Sequence, residues 1–331
     1  MELCNIEIYG QMNATILHMT HYYIQQLCLQ ESNLFNIQTF KPMFEFDWKL
    51  YMLDLKSKTE KELITYDENV IVILNGTTFM PSVDMIKWIE IEYGIETSRP
   101  QFLFESLCED LYSEEIRVLL LTNDIVYFDV DVGDKPAGRL VILLYSDLLP
   151  KTCFNFKSLC NGEFENDSKT DQKIKLTYKN TKVHRIVKNG WIQAGNLQTD
   201  IENVYANSSV FDANNSYKHQ TTSESKLYNS QSQALNVKYN NISKGPFFED
   251  EGFSVPHNRR GVVGMANSGR NTNASQFYIT LNNCGFLDKS YVCFGRLLEG
   301  WKTLEIMENQ PLENGIPKND IKFIRSGTIL Q

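Results

Sequence analysis

Between Leu3 and Gly94 the apolar positions alternate between the two-residue period of a strand and the 3.6-residue period of a helix. Leu3–Tyr9 reads as a short strand ending at Gly10. Ala14–Leu29 then carries Ile16, Leu17, Met19, Tyr23, Ile24, Leu27 and Cys28 at helical spacing. Phe40–Phe46 predicts a second strand and Trp48–Leu55 a short helix. Val70–Leu74 is a continuous apolar run of the buried-strand type, and the Asn75-Gly76 pair after it is a hairpin signal. Ser82–Tyr93 closes the unit as an amphipathic helix stopped by Gly94. Residues 100–122 read as mostly helical. Together these elements predict an α/β domain over 1–122.

From Ile125 the texture changes. Val126, Phe128, Val130 and Val132 alternate with Tyr127, Asp129 and Asp131, the mark of a strand with two unlike faces. GDKPAG turns the chain and Arg139–Tyr145 answers as a second strand. Pro150 opens a helix that Gly162 ends. Short strands follow at 183–187, 191–195, 261–266, 276–281, 291–297 and 320–328, with one more helix at Gly300–Glu308. Many short antiparallel strands with two helices predict an all-β barrel over 123–331, capped at its ends. Gln198–Lys244 does not fit this pattern. It is rich in Asn, Ser, Gln and Tyr and poor in aliphatics, so it reads as a polar surface insertion. Tyr205, Tyr217, Tyr228 and Tyr239 could anchor it to a partner.

Composition narrows the class. With 331 residues, 42% hydrophobic and 22% charged, the chain suits two globular domains. A net charge of −9 and no basic patch argue against nucleic acid. No window reaches the apolar length of a membrane helix, and the N-terminus does not read as a secretory signal. The 7 cysteines are scattered, without CxxC or metal spacing, which suits a reducing cytoplasmic compartment. His18 and His21 lie three apart but lack further ligands. Asp129 with Asp131, and Glu249–Glu251, read as strand and turn surface. No cofactor or metal is expected.

The candidate chemistry starts at VHRIV-KNG-WIQAG. A hairpin turn over Lys188–Gly190 puts Arg185 opposite Gln193 on one face. A guanidinium beside an amide is a donor array suited to one carbonyl or amide of a bound peptide. A plain surface pair would look the same in sequence. MANSGRNTNASQFYIT (265–280) supplies a second motif: a strand end, a polar loop, and a strand restart at Gln276, Phe277 and Tyr278.

This motif resembles the cyclophilins, the cyclosporin-binding class of peptidyl-prolyl cis-trans isomerases. So do FDVDVGDKPAGRLVILLYSDLLPKTCFNFKSLCNGE, VHRIV, FFEDEGF and FLDKSYVCFGRLLEG, in that order along residues 124–331. The resemblance implies an eight-stranded antiparallel barrel capped by two helices. It places the family's catalytic arginine at Arg185, donating to the prolyl nitrogen to weaken an amide resonance whose rotation barrier is roughly 18–20 kcal/mol. It places substrate-binding glutamines at Gln193 and Gln276, the peptide-pairing Ala-Asn at Ala266 and Asn267, and a wall of the proline cup at Leu287. The implied ligand is a proline-containing peptide.

The walls depart from the family. Gly190 and Trp191 stand where it usually has Phe and Met. Tyr278 replaces the Phe of the floor and brings a hydroxyl that needs a partner. Phe286 replaces a Trp and Tyr291 a His. Because a proline ring offers only burial and dispersion, such changes point to weak or absent turnover. The NGWIQ sequence and the preceding domain resemble in particular the peptidyl-prolyl isomerase-like protein 6 branch. That branch implies a protein without isomerase activity, at motile cilia and axonemal radial spokes, with axonemal partners. The 198–244 insertion departs from the branch pattern. An active isomerase acting on X–Pro bonds is the alternative, because Arg185, Gln193, Gln276 and Asn267 all remain.

The N-terminal domain resembles the thioredoxin/glutaredoxin fold. The start of its first helix, GQMNAT, has no cysteine, and Val70 stands where a cis-proline is expected. Redox chemistry is therefore not implied, Cys4 and Cys28 read as core thiols, and an interaction module is the better reading.

Overall fold

The alternations above assemble into two compact units, Met1–Leu119 and Leu120–Gln331. The computed structural model describes residues 3–59, 69–166, 174–197, 217–219 and 247–329. In the first unit the order is β1 (Cys4–Gln11), α1 (Thr15–Gln30), β2 (Phe35–Met43), α2 (Glu45–Lys58), β3 (Val70–Leu74), β4 (Thr78–Pro81), α3 (Ser82–Tyr93) and α4 (Gln101–Leu120). The sheet runs β2-β1-β3-β4, with β1 and β2 parallel and the other pairs antiparallel.

Val70 and Val72 of β3 join Ile6 and Ile8 of β1 in a core closed by Leu17, Ile24 and Leu27 of α1 and by Met85 and Ile89 of α3. Ile71 points the other way, into a second cluster with Met43, Trp48 and Met52 that α2 covers. A strand covered on both faces cannot alternate, which is why VIVIL is apolar throughout. Two expectations shift. The second strand begins at Phe35, not Phe40: Phe35 and Ile37 alternate with exposed Asn36 and Gln38, and a register shift at Gln38 then breaks the alternation ahead of Phe40. The short helix grows to Glu45–Lys58, and the Phe46 assigned to the strand is a buried residue of that helix. Cys4 and Cys28 sit half-buried at the margin of the first core, not within it. His21 stacks on Phe40 with centroids 3.9 Å apart, and His18 Nε2 lies 3.4 Å from the Met12 carbonyl oxygen.

The second unit runs β5 (Asp124–Val132), β6 (Lys135–Leu144), α5 (Pro150–Asn161), β7 (Phe164–Asn166), β8 (Ile174–Leu176), β9 (Arg185–Val187) and β10 (Trp191–Ala194). It continues with β11 (Tyr217–His219), β12 (Val262–Met265), β13 (Phe277–Thr280), β14 (Cys293–Glu299), α6 (Trp301–Glu308), β15 (Leu312–Glu313), β16 (Ile316–Pro317) and β17 (Ile321–Thr328). Eight strands form one antiparallel sheet in the order β17-β5-β6-β14-β12-β13-β10-β9. The sheet curls until its edges meet. Val183 N donates to Ile321 O at 2.9 Å and Phe323 N to Thr181 O at 3.0 Å, just ahead of β9.

Inward-facing aromatics fill the curl. Phe128 lies 4.6 Å from Phe323 and 5.7 Å from Phe277, and Phe156 of α5 meets Phe277 edge-on at 5.0 Å. Tyr178 is buried beside them and donates its hydroxyl to Ser275 O at 2.6 Å. The β5–β6 turn is tighter than the predicted GDKPAG. Gly133 and Asp134 make the turn at φ 56° and 60°, and Lys135 already pairs with Val132, which leaves Gly138, at φ 130°, within β6. Of the predicted insertion, only Tyr217–His219 is described, pairing with β7; Tyr205, Tyr228 and Tyr239 lie outside the described residues.

The acidic residues read as surface hold the fold together. Glu251 accepts from Lys151 N at 2.8 Å, Thr152 N at 2.7 Å and Thr152 Oγ1 at 2.8 Å, capping the otherwise uncapped start of α5. Asp250 holds the polar loop before β13 through Asn271 N at 3.0 Å and Asn273 Nδ2 at 2.7 Å. Asp129 is buried and bridges Arg139 at 2.6 Å and Arg325 at 3.0 Å.

Replacing Glu251 with Ala is expected to cost about 1–2 kcal/mol, read as a lower urea midpoint at unchanged slope. The Arg139 hydrogen bond holds the Asp129 carboxyl below its usual value. Its contribution is complete above the unfolded pKa of about 3.9 and is lost as pH falls from there through the folded value. Urea unfolding from about pH 6 to pH 3 should show this loss, and Asp129→Asn should remove it.

Candidate functional site

One cross-strand row organises the site. Arg185 pairs with Gln193, Gln193 with Tyr278, and Tyr278 with Gly264, across β9, β10, β13 and β12. Directly opposed residues share a face, so these four stand together outside the aromatic core. The next row pairs Val187 with Trp191. The turn residue Asn189 takes φ 59°, and Gly190 N closes the turn on Val187 O at 2.9 Å. The predicted hairpin register is therefore the observed one.

The polar half is more committed than a free donor array. Gln193 Nε2 donates to Gln276 Oε1 at 2.9 Å, so one of its two amide hydrogens is used within the protein. Gln276 also hydrogen-bonds His184, whose burial pushes its imidazole below the usual value. Arg185 is exposed, and its guanidinium carbon lies 5.8 Å from the centroid of the Trp191 ring. That stacking orients it over an aromatic face. Ala266 N donates to Gln276 O at 2.9 Å. Asn267 Nδ2 donates to Ser290 O at 3.0 Å, tying the polar loop to the segment that carries Phe286, Leu287 and Tyr291.

The apolar half is packed with the protein's own rings. Tyr278, Cys284 and Leu287 form a buried cluster, and Trp191, Ala266 and Tyr291 pack against it. Trp191 lies 6.4 Å from Tyr278 and 6.4 Å from Phe286, while Tyr291 meets Tyr278 edge-on at 6.0 Å. Trp191 thus turns onto the groove face and not away from it. Phe286 is 72% exposed, a rim and not a wall. Gly190 is closely fitted: a Cβ there would stand 3.0 Å from Val187 Cγ1, which would have to give way by a few tenths of an ångström. All ten residues singled out in the sequence fall in this one connected patch.

Three further residues had no sequence reading. The Tyr278 hydroxyl meets His257 Nε2 at 2.6 Å, and His257 Nδ1 meets Asp288 Oδ1 at 2.7 Å. Gly264 makes this possible, because a Cβ there would overlap the Tyr278 hydroxyl. The one signal in the sequence was that a buried tyrosine hydroxyl must have a partner. Among the described residues no His, Cys, Asp and Glu side chains gather into a metal site, and no helix is long and apolar enough to cross a membrane.

The comparison with known families decides the assignment. Residues 127–328 match the profile of the cyclophilin type peptidyl-prolyl cis-trans isomerase/CLD family. The chain belongs to that family. It is also similar to three mammalian proteins named "Probable inactive peptidyl-prolyl cis-trans isomerase-like 6". The one from Homo sapiens is 36% identical over 286 residues, 86% of this chain and 79% of the relative. The one from Bos taurus is 35% identical over 292 residues, 87% and 81% of the two chains. The one from Mus musculus is 34% identical over 280 residues, 83% and 75%. Each match is longer than the cyclophilin-type domain alone, so it takes in part of the N-terminal unit.

Within this cyclophilin-type domain, Trp191 is half-buried and Arg185 rests on it. Trp191→Ala is expected to cost about 1–3 kcal/mol in urea unfolding. Arg185→Ala should change stability by less than about 0.5 kcal/mol while shifting the emission of Trp191.

Proposed function

We propose that this chain is a cyclophilin-fold peptide-binding protein with weak or absent prolyl isomerase activity. The observation that carries the reading is Trp191, packed with Tyr278 against Leu287 where a proline ring would seek an apolar cup. Arg185 keeps its place on the hairpin, but its guanidinium rests on the indole. A peptide can still be held through Arg185, Gln193 and the Asn267 region. Turnover requires in addition that the prolyl ring be gripped while the carbonyl on its N-terminal side rotates, and the grip is what the packed rings take away. The names of the mammalian relatives agree with this reading.

The finer assignment is to the ciliary axoneme, with radial-spoke proteins as partners. It rests on the NGWIQ sequence and the two-domain order. The N-terminal unit is then a docking module of thioredoxin-like type. Its strand order, with one parallel and two antiparallel pairs, supports that comparison, and the start of α1 has no cysteine to serve redox chemistry.

A protease-coupled assay on an X–Pro tetrapeptide tests the catalytic part. The full chain should give a rate no faster than buffer; an accelerated rate that falls on Arg185→Ala overturns the proposal. A tagged chain expressed in ciliated cells should stay with demembranated axonemes, and its complete release with the soluble fraction contradicts the axonemal assignment.

A further inference from the structure

His257 stands outside every role assigned so far. It has no exposed surface, yet both ring nitrogens are engaged. Its backbone N–H also donates to Asp288 Oδ1, at 2.8 Å. The ring lies nearly parallel to Tyr278, 5.9 Å away.

The partners fix the direction of the protons. An ionised Asp288 can only accept, and its carboxyl is held below the usual value by the His257 backbone and ring N–H groups. Nδ1 must therefore carry the proton of the neutral ring, and Nε2 is left as an acceptor. The Tyr278 hydroxyl then donates to Nε2 and has no proton left for a ligand. Burial pushes the His257 pKa down, which favours the neutral ring at neutral pH, and pushes the Tyr278 phenol well above its ordinary value.

We propose that Asp288, His257 and Tyr278 form a one-directional hydrogen-bond relay in which His257 is the positioning residue of the groove floor. The relay turns the phenol proton inward over Gly264, so the buried Tyr278 offers no donor to the groove face, where the half-buried Trp191 and Tyr291 pack against it. The groove face above it thereby stays apolar, suited to apolar peptide side chains lying across it and not to groups that need a donor. The same relay fastens the segment holding Leu287 and Tyr291 to the floor, because Asp288 sits between them in sequence. This rests on the reading of the site as a peptide groove for its consequence, though not for its geometry.

Two measurements on the full chain separate those parts. Long-range 1H–15N correlation of the histidine rings should show His257 as the Nδ1–H tautomer at pH 7, titrating below the ordinary value of about 6.5. Tyr278→Phe should shift the Nε2 resonance as its hydrogen bond is lost. An Nε2–H tautomer, an ordinary titration, or an Nε2 resonance unmoved by Tyr278→Phe overturns the relay, whether or not any peptide binds. The second measurement is titration of an Ala-Ala-Pro-Phe peptide by NMR shifts. His257→Leu should weaken the affinity by about fivefold or more, since an orphaned buried hydroxyl must find another partner. In the Tyr278→Phe background the His257→Leu loss should shrink. An equal loss in both backgrounds means that His257 acts independently of Tyr278, which contradicts the proposal. Absence of peptide binding in the unaltered protein defeats the peptide-groove reading and leaves the tautomer result to judge the relay.

Discussion

The groove depends on the register of one short hairpin. Pairing of Arg185 with Gln193 and of Val187 with Trp191 sends those side chains to one face, while Ile186 and Ile192 go into the core. A slip by one residue would reverse every position, burying the guanidinium and exposing two isoleucines. The same pairing extends to Tyr278 and Gly264, so a single row of backbone bonds brings the catalytic-type arginine, the amide and the groove floor together. With the row fixed, Trp191 has one neighbourhood available: Tyr278 and Leu287 on one side, Phe286 at the rim.

The apolar side of this neighbourhood is lined by the protein's own rings. The polar side of the site brings Arg185, Gln193 and Gln276 together, with Gln193 bonded to Gln276. Tyr278 has Trp191 as one ring neighbour and Tyr291 as another. Gly190 is closely fitted against Val187, so a side chain there would need Val187 to shift. On the proposed reading binding and turnover are separable: hydrogen bonds to peptide backbone would need only the polar side, and rotation about the prolyl bond would need both.

Much of this was legible in the sequence because it depends on local rules. The Lys188–Gly190 turn, the period-two strands around it and the glycine-stopped helices of both units declare themselves over a few residues. The row Arg185–Gln193 followed from turn length alone. Other features depend on partners far along the chain. Glu251 was read as turn surface because nothing local marks the start of α5, some 100 residues earlier, as its partner. Asp129 was read as strand surface because Arg325 lies on the last strand. His257 gave no signal, since only the folded sheet brings it beneath Tyr278. The second strand begins earlier than its sequence suggests, because a register shift at Gln38 interrupts its alternation. The direction of Trp191 was likewise beyond reach, as a residue beside a turn can fold onto the face or lie along the rim.

The central claim is that this groove can hold a prolyl peptide without rotating it. Exchange spectroscopy on a peptide labelled at its proline measures both halves in one sample with the full-length protein. The account predicts saturable shifts of the peptide signals with cis–trans exchange no faster than in buffer, on the scale of tens of seconds or longer. Exchange cross-peaks that grow with protein concentration and vanish in Arg185→Ala would contradict it.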